Sequence, residues 1–413
     1  MDLSQAYRWI SPDQSLPPVF TPENVEEARQ WLREKDRPQR RVLVAGAGSH
    51  WYIGANPQPV TDVLSLRRWD RVTDYSPGDM IVEVEAGCTL GRLEQTLSQE
   101  GQFLPFLPFS SPQATIGGVV AAGLESPFSG ELGGPRDSII GVEVLHSDGM
   151  LSHAGGKVVK NVAGYDLCKL YCGSLGTLGV LTRLAFKVRP LRGRPATALV
   201  GFGTASQLLE TARKLRDHAA PAALEILSGK LCRAAPEALS TATWMLAARL
   251  ADAPGAAAYK RRQIESQAAS AVWLEGRDEE TFWQDWTQSR RAMLAPDRPQ
   301  ACLLVSTPLS RLGDLLEDLS GTFGGEEGAP AISGSFPRSR LHAFFSERPD
   351  SEQRVERLRQ RWNRREDSTI LWKGSPKLKS KLDVWGLPSP LKKIHNQLQA
   401  ALDPDRVFNP GRL

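Results

Sequence analysis

Residues with very short side chains are concentrated where backbone groups could bind an anionic ligand. The first such segment, residues 45–49, reads Ala-Gly-Ala-Gly-Ser and follows an apolar, β-branched run that starts at Arg41. A strand that ends in a loop of small residues lets several backbone N–H groups converge on one anion. The segment differs from the dinucleotide fingerprint G-x-G-x-x-G, because Trp51 takes the third glycine position and residues 50–57 lack the pattern of an amphipathic helix. The sequence therefore predicts an anion-binding loop outside a Rossmann domain.

A second segment, residues 110–123, reads Ser-Ser-Pro-Gln-Ala-Thr-Ile-Gly-Gly-Val-Val-Ala-Ala-Gly. A helix that begins at Gly117 and Gly118 would direct unpaired N–H groups toward a phosphate, and the missing side chains would let a ligand approach the backbone. Close packing of the same helix on a sheet explains the small residues at 121–123 equally well. Both interpretations stay open at the level of sequence.

The third segment has two parts, Gly-Gly-Lys-Val-Val-Lys-Asn-Val-Ala-Gly-Tyr-Asp-Leu at 155–167 and Gly-Ser-Leu-Gly-Thr-Leu-Gly-Val at 173–180. Asp166 is predicted to cap a short helix that runs to Cys172 and ends at Gly173. A loop followed by a strand is predicted within residues 136–144, and a strand is predicted at residues 180–188. These elements indicate an α+β domain with many short strands.

Apolar runs alternate with helical patterns between residues 195 and 370. The predicted strands are 197–202, 224–227, 244–248, 272–274, 301–306 and 331–336, and the predicted helices include 206–215 and 309–319. This alternation indicates one sheet covered by helices. The segments 321–330 and 348–365 are interpreted as a solvated loop and a solvated helix face. A last helix is predicted from Ser389 and Pro390, with a core-facing stripe formed by Leu391, Ile394, Leu398 and Leu402.

Length and composition disfavour several classes of protein. The 413 residues provide for two or three domains, and the formal net charge of +4 comes without a dense run of like charge that would indicate nucleic-acid binding. No apolar stretch reaches the roughly 18 residues that a membrane span needs, and residues 1–15 show no signal peptide, so a cytoplasmic protein is predicted. Five scattered cysteines without a CxxC pair argue against a disulfide framework or an iron–sulfur cluster. Cys168 and Cys172 are interpreted as small buried residues rather than a metal or redox pair.

In their order along the chain, these motifs resemble the FAD-binding domain of flavoproteins of the vanillyl-alcohol-oxidase (PCMH) type. The motifs are the loop 45–49, Ala-Thr-Ile-Gly-Gly at 114–118, Gly-Pro-Arg-Asp at 134–137, Lys-Asn-Val-Ala-Gly-Tyr-Asp-Leu at 160–167 and the run 173–180. Within that family, residues 155–167 resemble the FAD-binding E subunit of bacterial glycolate oxidase. The resemblance covers residues 15–192 and resumes at the C-terminal Phe-Asn-Pro-Gly-Arg-Leu, residues 408–413.

The resemblance implies an α+β fold in which a PCMH-type FAD-binding domain is followed by a ferredoxin-like α/β cap. The implied boundaries are an N-terminal segment 1–14, a FAD-binding domain 15–192, a cap 195–370 and a C-terminal segment 371–413 that returns to the FAD-binding domain. In such proteins FAD lies extended, with its pyrophosphate against main-chain amides and its flavin ring at the interface with the second domain.

The resemblance also implies which residues bind FAD. They are Ala45, Gly46, Ala47, Gly48, Ser49, Ala114, Thr115, Gly117, Gly118, Arg136, Asp137, Val180 and Asn409. Ala47 replaces a glycine of the family, which keeps the backbone amide but narrows the permitted backbone angles. Some relatives attach FAD covalently through a histidine of the first loop. Because Ser49 occupies that position and His50 is one residue late, non-covalent FAD is expected.

The activity implied by the resemblance is that of a FAD-binding subunit of a glycolate oxidase complex. Glycolate, or another 2-hydroxy acid, would be oxidised together with a catalytic flavoprotein D subunit and an iron–sulfur F subunit, in the cytoplasm or peripherally at the inner membrane through the partners. Because flavin accounts for hydride transfer, the protein must supply a base and a cation for the substrate carboxylate. Arg136, Lys157 and Lys160 are candidate cations, and no catalytic residue is assigned.

The histidines of the cap leave more than one function open. Catalytic relatives bind a metal through a close pair of histidines there, whereas this chain offers the separate His218 and His342, so no metal site is expected. The chain is then either a subunit that depends on its partners or a non-catalytic scaffold that keeps the flavoprotein fold. An independent D-lactate or sugar-acid dehydrogenase is a further alternative.

Overall fold

The chain folds into two compact units. The computed structural model describes residues 2–34, 40–106, 111–156, 166–228, 231, 236–295, 298, 300–324, 330–363 and 366–413. The first unit comprises Met1–Glu125, Gly133–Pro190 and Leu387–Leu413, and the second comprises Ser126–Leu132 and Leu191–Gly386. Relative to the predicted boundaries, residues 126–132 join the second unit and the C-terminal segment is divided after residue 386.

Short helices and strands alternate along the chain. The helices are α1 (Leu3–Tyr7), α2 (Val25–Arg33), α3 (Leu90–Ser98), α4 (Ile116–Ala122), α5 (Ser129–Leu132), α6 (Pro135–Ser138), α7 (Cys168–Tyr171), α8 (Ala205–His218), α9 (Pro254–Gln267), α10 (Gly276–Leu294), α11 (Leu312–Phe323), α12 (Ser351–Trp362), α13 (Pro376–Lys381) and α14 (Ser389–Leu402). The strands are β1 (Val19–Phe20), β2 (Val42–Ala45), β3 (Asp62–Ser65), β4 (Val72–Ser76), β5 (Ile81–Glu85), β6 (Gln102–Phe103), β7 (Ile139–Leu145), β8 (Leu151–Gly155), β9 (Val180–Lys187), β10 (Arg189–Pro190), β11 (Ala196–Phe202), β12 (Ala223–Ser228), β13 (Trp244–Leu250), β14 (Val272–Glu275), β15 (Gln300–Ser306), β16 (Ala331–Ser335), β17 (Arg340–Ser346) and β18 (Ser368–Lys373).

The first unit contains a parallel and an antiparallel sheet. Parallel strands follow the order β1-β3-β2, antiparallel strands follow the order β4-β5-β9-β7-β8, and β10 pairs with β6. All four residues of β3 are buried, as expected for a parallel strand that is covered on both faces. Phe408 in the C-terminal tail forms a parallel bridge with Val42 of β2. The tail therefore extends this sheet beside the strand that leads into the loop 45–49.

The second unit is built from two consecutive β-α-β-β-α-β repeats. The first repeat runs from β11 to β14 and orders its strands β14-β11-β13-β12, and the second runs from β15 to β18 and orders them β16-β17-β15-β18. Each repeat has the ferredoxin-like topology, and antiparallel pairing of β12 with β16 joins the two into one eight-stranded sheet. α10 connects the repeats. The cap predicted as one ferredoxin-like domain thus contains that topology twice.

Most predicted strands of this unit are confirmed. Five of the six apolar runs lie inside observed strands, and the sixth extends one residue beyond β16. The two strands that were not predicted, β17 and β18, have charged or polar residues among their apolar ones, including Arg340, His342 and Lys373. The long helices α9 and α10 were also not predicted.

Two local predictions are wrong, and a third is confirmed for one face of a helix. The stripe on α14 does not face the core, because Leu391 is 50% exposed, Ile394 is 53% exposed and Gln399 is the one described residue of the helix that is buried. For residues 348–365 the predicted solvated helix face is confirmed, since Glu356, Arg357 and Arg361 of α12 are exposed, and the helix buries Val355 and Trp362 on another side. Asp166 does not cap α7, whose first turn has no side-chain cap.

The described cysteines are buried or partly buried free thiols. Burial raises the pKa of Cys88, Cys168 and Cys172 to about 11, so these thiols stay protonated at neutral pH. Cys168 is buried and Cys172 is partly buried, and Cys232 lies outside the described residues. Within the described ranges, no helix is both long and apolar enough to cross a membrane.

Candidate functional site

The candidate site is a cleft of the first unit that encloses about 790 Å³, counting the space open to solvent. It lies at the end of β2, beside the start of α4, the loop 175–179 and the C-terminal tail. The lining residues are Leu43, Val44, Gly46, Ala47, Gly48, Ser49, His50, Trp51, Leu66, Ala86, Thr115, Gly117, Gly118, Ala121, Ala122, Leu175, Gly176, Gly179, Leu181, Asn409 and Arg412. The lining consists mostly of small or apolar side chains, so that much of its polar surface is backbone.

The loop after β2 presents unused backbone donors to this cleft. The amides of Ala47, Gly48 and Ser49 donate to no other described residue. The left-handed turn that the loop needs is made at Gly48, with φ +72°, whereas Ala47 keeps a negative φ. The alanine at position 47 therefore causes no backbone strain. Successive unpaired amides in a turn form a concave anion-binding surface.

The second segment contributes close packing rather than free donors. The amide of Gly117 donates to the carbonyl of Ala86 at 2.8 Å, and the amide of Gly118 faces the Thr115 hydroxyl oxygen at 3.4 Å. Of the two interpretations left open for this segment, these contacts favour close packing, because the amides of Gly117 and Gly118 have acceptors within the protein. A Cβ on Gly117 would lie 2.7 Å from the Cβ of Ala86, and a Cβ on Gly46 would lie 2.0 Å from Oγ1 of Thr115. Gly46 therefore lets the loop 45–49 approach the N-cap of α4, and Gly117 lets α4 approach the backbone at Ala86, just after β5.

Asn409 joins the tail to two other parts of the cleft. Its side-chain oxygen accepts from the amide of Val44 at 2.8 Å, and its side-chain nitrogen donates to the carbonyl of Leu175 at 2.7 Å. Gly176 has φ +69°, and a Cβ there would lie 2.6 Å from Nδ2 of Asn409. This contact explains the glycine at position 176.

The structure brings eight of the thirteen sequence-predicted residues to the cleft lining. They are Gly46, Ala47, Gly48, Ser49, Thr115, Gly117, Gly118 and Asn409. The remaining five are Ala45, Ala114, Arg136, Asp137 and Val180. Ala45, Ala114 and Val180 are buried beside lining residues, whereas Asp137 accepts from the amide of Gly134 and so stabilises the start of α6. Arg136 is exposed, and the other candidate cations, Lys157 and Lys160, lie outside the described residues.

The sequence did not predict most of the apolar lining residues, here called the hydrophobic floor, nor His50 and Arg412. The hydrophobic floor consists of Leu43, Val44, Trp51, Leu66, Ala86, Ala121, Ala122, Leu175 and Leu181. The floor residues give no local signal, because their runs are typical of any buried strand or helix. Arg412 was visible as part of the C-terminal motif, although nothing local showed where its side chain points. It is almost fully buried, and burial lowers its pKa to about 10. No lining residue that the structure describes has a carboxylate, and the buried Oγ of Ser49 has no hydrogen-bond partner, so the cleft is suited to an anionic ligand.

The two histidines considered for a metal site have different surroundings. His218 is exposed at the end of α8, whereas the ring of His342 on β17 accepts a hydrogen bond from Arg290 through Nδ1 at 3.1 Å. Across the parts of the chain that the structure describes, no three His, Cys, Asp or Glu residues are grouped so that they could bind a metal. Burial, followed by the nearby Arg290 and Arg340, holds the pKa of His342 well below its usual value.

This shift predicts an acid-sensitive stability contribution. Below about pH 6.5, His342 of the unfolded chain takes up a proton that the folded protein resists, so the free energy of unfolding falls by up to about 1.4 kcal/mol per pH unit. His342→Asn keeps an acceptor toward Arg290 and should remove this part of the pH dependence. The measurement is urea unfolding between pH 5 and pH 8, with the exposed His218→Asn as control. Equal slopes for wild type and His342→Asn would contradict the prediction.

Comparison with solved structures identifies the fold. Alkyldihydroxyacetonephosphate synthase superposes with a TM-score of 0.70 at 15% identity, over 96% of this chain and 76% of that one. A p-cresol methylhydroxylase structure with substrate bound superposes with a TM-score of 0.72 at 13% identity, over 100% of this chain and 92% of that one. The predicted α+β, PCMH-type FAD-binding fold is confirmed.

Comparison with protein families shows which class of protein the chain belongs to. The FAD binding domain family matches residues 17–155, and the C-terminal domain of FAD linked oxidases matches residues 194–377. The two matches together span most of the chain, which belongs to the PCMH-type family of FAD-linked oxidases. The predicted cofactor, FAD, is confirmed at this level.

Three individual proteins are similar to this chain over different lengths. The glycolate oxidase subunit GlcE of Escherichia coli (strain K12) is 35% identical over 177 residues, which are 42% of this chain and 48% of that protein. The glycolate oxidase subunit GlcD of Bacillus subtilis (strain 168) is 25% identical over 97% of this chain and 89% of that protein. A probable mitochondrial D-lactate dehydrogenase of Danio rerio is 24% identical over 96% of this chain and 84% of that protein. The match to GlcE therefore spans less than half of either protein.

Proposed function

We propose that the cleft binds FAD non-covalently, with the pyrophosphate against the amides of Ala47, Gly48 and Ser49. The observation that supports this most strongly is that these amides have no acceptor among the described residues and lie in a cleft whose described lining has no carboxylate. Gly46, Thr115, Gly117 and Gly118 hold the neighbouring backbone close, and Asn409 braces the other side. Ala45, Ala114 and Val180 support these residues from buried positions. Arg136 and Asp137 are proposed near the cofactor on the family resemblance alone.

The non-covalent mode is proposed from the identity of the loop residues. Ser49 stands where covalent relatives have histidine, and a serine hydroxyl does not replace imidazole as the attachment point. His50 also lines the cleft, so it is the competing attachment residue. Flavin fluorescence in the protein band of a denaturing gel would contradict non-covalent binding, and loss of that fluorescence in His50→Ala would identify the attachment residue.

The proposed reaction is the oxidation of a small 2-hydroxy acid, with glycolate as the first candidate. Bound FAD supplies a hydride acceptor, and the chain's own residues orient the cofactor and exclude water from its apolar surroundings. The names of the relatives, glycolate oxidase subunits and D-lactate dehydrogenase among them, support this substrate class. The match to GlcE, which is named as a glycolate oxidase subunit, supports a role as a subunit. A catalytic flavoprotein partner, an iron–sulfur partner that receives electrons, and a location in the cytoplasm or peripherally at the inner membrane are proposed on the family resemblance alone.

A stand-alone dehydrogenase is the second candidate, because relatives named D-lactate dehydrogenase align with nearly the whole chain. Anaerobic visible spectra of the purified protein, before and after addition of glycolate, D-lactate or D-2-hydroxyglutarate, separate the candidates. Bleaching of the flavin band by the isolated chain at a catalytic rate supports the stand-alone enzyme. Bleaching only with partner subunits supports the complex. Bound flavin that no substrate bleaches in the assembled complex would indicate a scaffold and contradict the proposed reaction.

A further inference from the structure

The side chain of Arg412 organises one loop of the cleft. Arg412 is 4% exposed, and its Nη1 donates to the carbonyl of Ala55 at 2.9 Å while its Nη2 donates to the carbonyls of Trp51 and Ile53. Residues 51–55 contain no helix or strand. A guanidinium is planar and holds its donors in a fixed geometry, so one side chain fixes three carbonyls of this loop relative to each other.

The backbone of the tail fixes the same region. The amide of Asn409 donates to the carbonyl of Val42 at 2.8 Å. The amide of Ala55 donates to the main-chain carbonyl of Arg412, and the amide of Gln58 donates to the main-chain carbonyl of Pro410. These bonds hold the tail between β2 and residues 55–58. A Cβ on Gly411, which has φ +80°, would lie 2.9 Å from Cγ of Gln58, so the turn requires glycine. The backbone that carries Arg412 is therefore held in place by main-chain hydrogen bonds that do not involve the guanidinium.

The loop fixed by Arg412 continues directly from the unused amides. Only His50 separates residues 47–49 from Trp51. The amide of Trp51 donates to the carbonyl of Gly48 at 3.3 Å, and its indole donates to the carbonyl of Val44. Movement of residues 51–55 would therefore displace the amides at 47–49. Arg412 also lines the cleft itself.

We propose that Arg412 is a positioning residue that holds residues 48–55 so that the amides of Ala47, Gly48 and Ser49 converge before the ligand binds. The identity of the ligand, FAD, rests on the proposed function. A preorganised loop does not need to be ordered during binding, so more of the interaction energy appears as affinity. Without the guanidinium, the loop has to be ordered at the moment of binding, and affinity falls.

The test uses the full chain with Arg412→Met, which keeps an apolar stem, and Arg412→Lys, which keeps the charge and part of the hydrogen bonding. Arg41→Gln is the control, because Arg41 is an exposed arginine that contacts the side chain of Gln58 in the same region. Hydrogen exchange of peptides covering residues 48–58 is measured on the apoprotein, and FAD affinity is measured by quenching of flavin fluorescence. Thermal unfolding of each apoprotein shows which variants fold.

We expect faster exchange of residues 48–58 and at least about tenfold weaker FAD binding in Arg412→Met, intermediate values in Arg412→Lys and wild-type values in Arg41→Gln. If Arg412→Met does not fold, Arg412→Lys decides by the same two measurements. Unchanged exchange in a folded variant at position 412 overturns the proposal, as does faster exchange with unchanged FAD affinity. If the wild-type chain itself fails to bind FAD, the proposed function fails. Exchange in the apoprotein then still decides whether Arg412 holds the loop.

Discussion

Substitution of Gly46 by alanine is expected to weaken FAD binding and to destabilise the first unit. The added Cβ would lie 2.0 Å from Oγ1 of Thr115 and 3.0 Å from its Cβ and Cγ2. Thr115 cannot easily move, because its main chain begins α4 and its hydroxyl faces the amide of Gly118. Overpacking of this kind costs about 1–3 kcal/mol of unfolding free energy. If the loop moves to relieve the contact, the amides at 47–49 move with it, and we expect FAD affinity to fall by at least about tenfold.

The double variant Gly46→Ala/Thr115→Ala separates this contact from a general effect of alanine. Removing the hydroxyl and the methyl of Thr115 eliminates the two side-chain contacts that can be removed, so part of the affinity and stability should return. Gly78→Ala is the matched control in the same unit, since a Cβ there meets nothing within 4 Å. Chemical unfolding and FAD titration measure both effects. Wild-type affinity in Gly46→Ala would show that the loop tolerates the Cβ and would contradict the close approach described for this cleft.

The predictable part of the site was its backbone chemistry. Runs of glycine and alanine indicate where backbone can approach a ligand, and the loop 45–49 and the start of α4 both line the cleft. What those amides do could not be predicted, because it depends on distant parts of the fold. The Gly117 amide is satisfied by the carbonyl of Ala86, just after β5, whereas the amides at 47–49 find no acceptor among the residues that the structure describes. Arg412 was missed for the same reason, since its acceptors lie more than 350 positions earlier in the chain.

The fold was predictable where strands are uninterrupted apolar runs and less so where polar residues are buried. β17 places His342 between Leu341 and Ala343, and β18 ends at the buried Lys373, whose ammonium donates to the carbonyls of Met293 and Ala295 at the end of α10. Such residues read as surface positions until their partners are known. For α14 the error was the opposite one, since residues predicted to be buried are exposed. Helical periodicity shows that a face is apolar but not that another element covers it.

Substitution of Glu279 by alanine is expected to give the largest loss of stability in the second unit. Glu279 lies in the first turn of α10 and is 1% exposed, and its carboxylate accepts from Thr197 Oγ1 at 3.0 Å and from Arg249 Nη2 at 3.1 Å. Thr197 and Arg249 are paired residues of β11 and β13, so the carboxylate ties α10 to both strands. Truncation leaves a nearly buried guanidinium without this carboxylate, a change that costs about 3–5 kcal/mol. The measurement is urea unfolding followed by tryptophan fluorescence.

The variant Glu279→Ala/Arg249→Met distinguishes loss of the ion pair from loss of packing. Because an apolar side chain needs no counter-charge, and because the Arg249 guanidinium already lies 4.8 Å from the ring of Phe128 and 5.3 Å from that of Trp283, methionine should pack in its place and recover much of the stability. The neighbouring Glu280→Ala is the control, since Glu280 is exposed on the same helix. A double variant no more stable than Glu279→Ala would place the loss in the contact between Thr197 and α10 instead. In that case Glu279→Gln, which keeps an acceptor for the Thr197 hydroxyl but not the charge, should be nearly as stable as wild type. If the ion pair is what stabilises the unit, Glu279→Gln should unfold at clearly lower urea concentration than wild type.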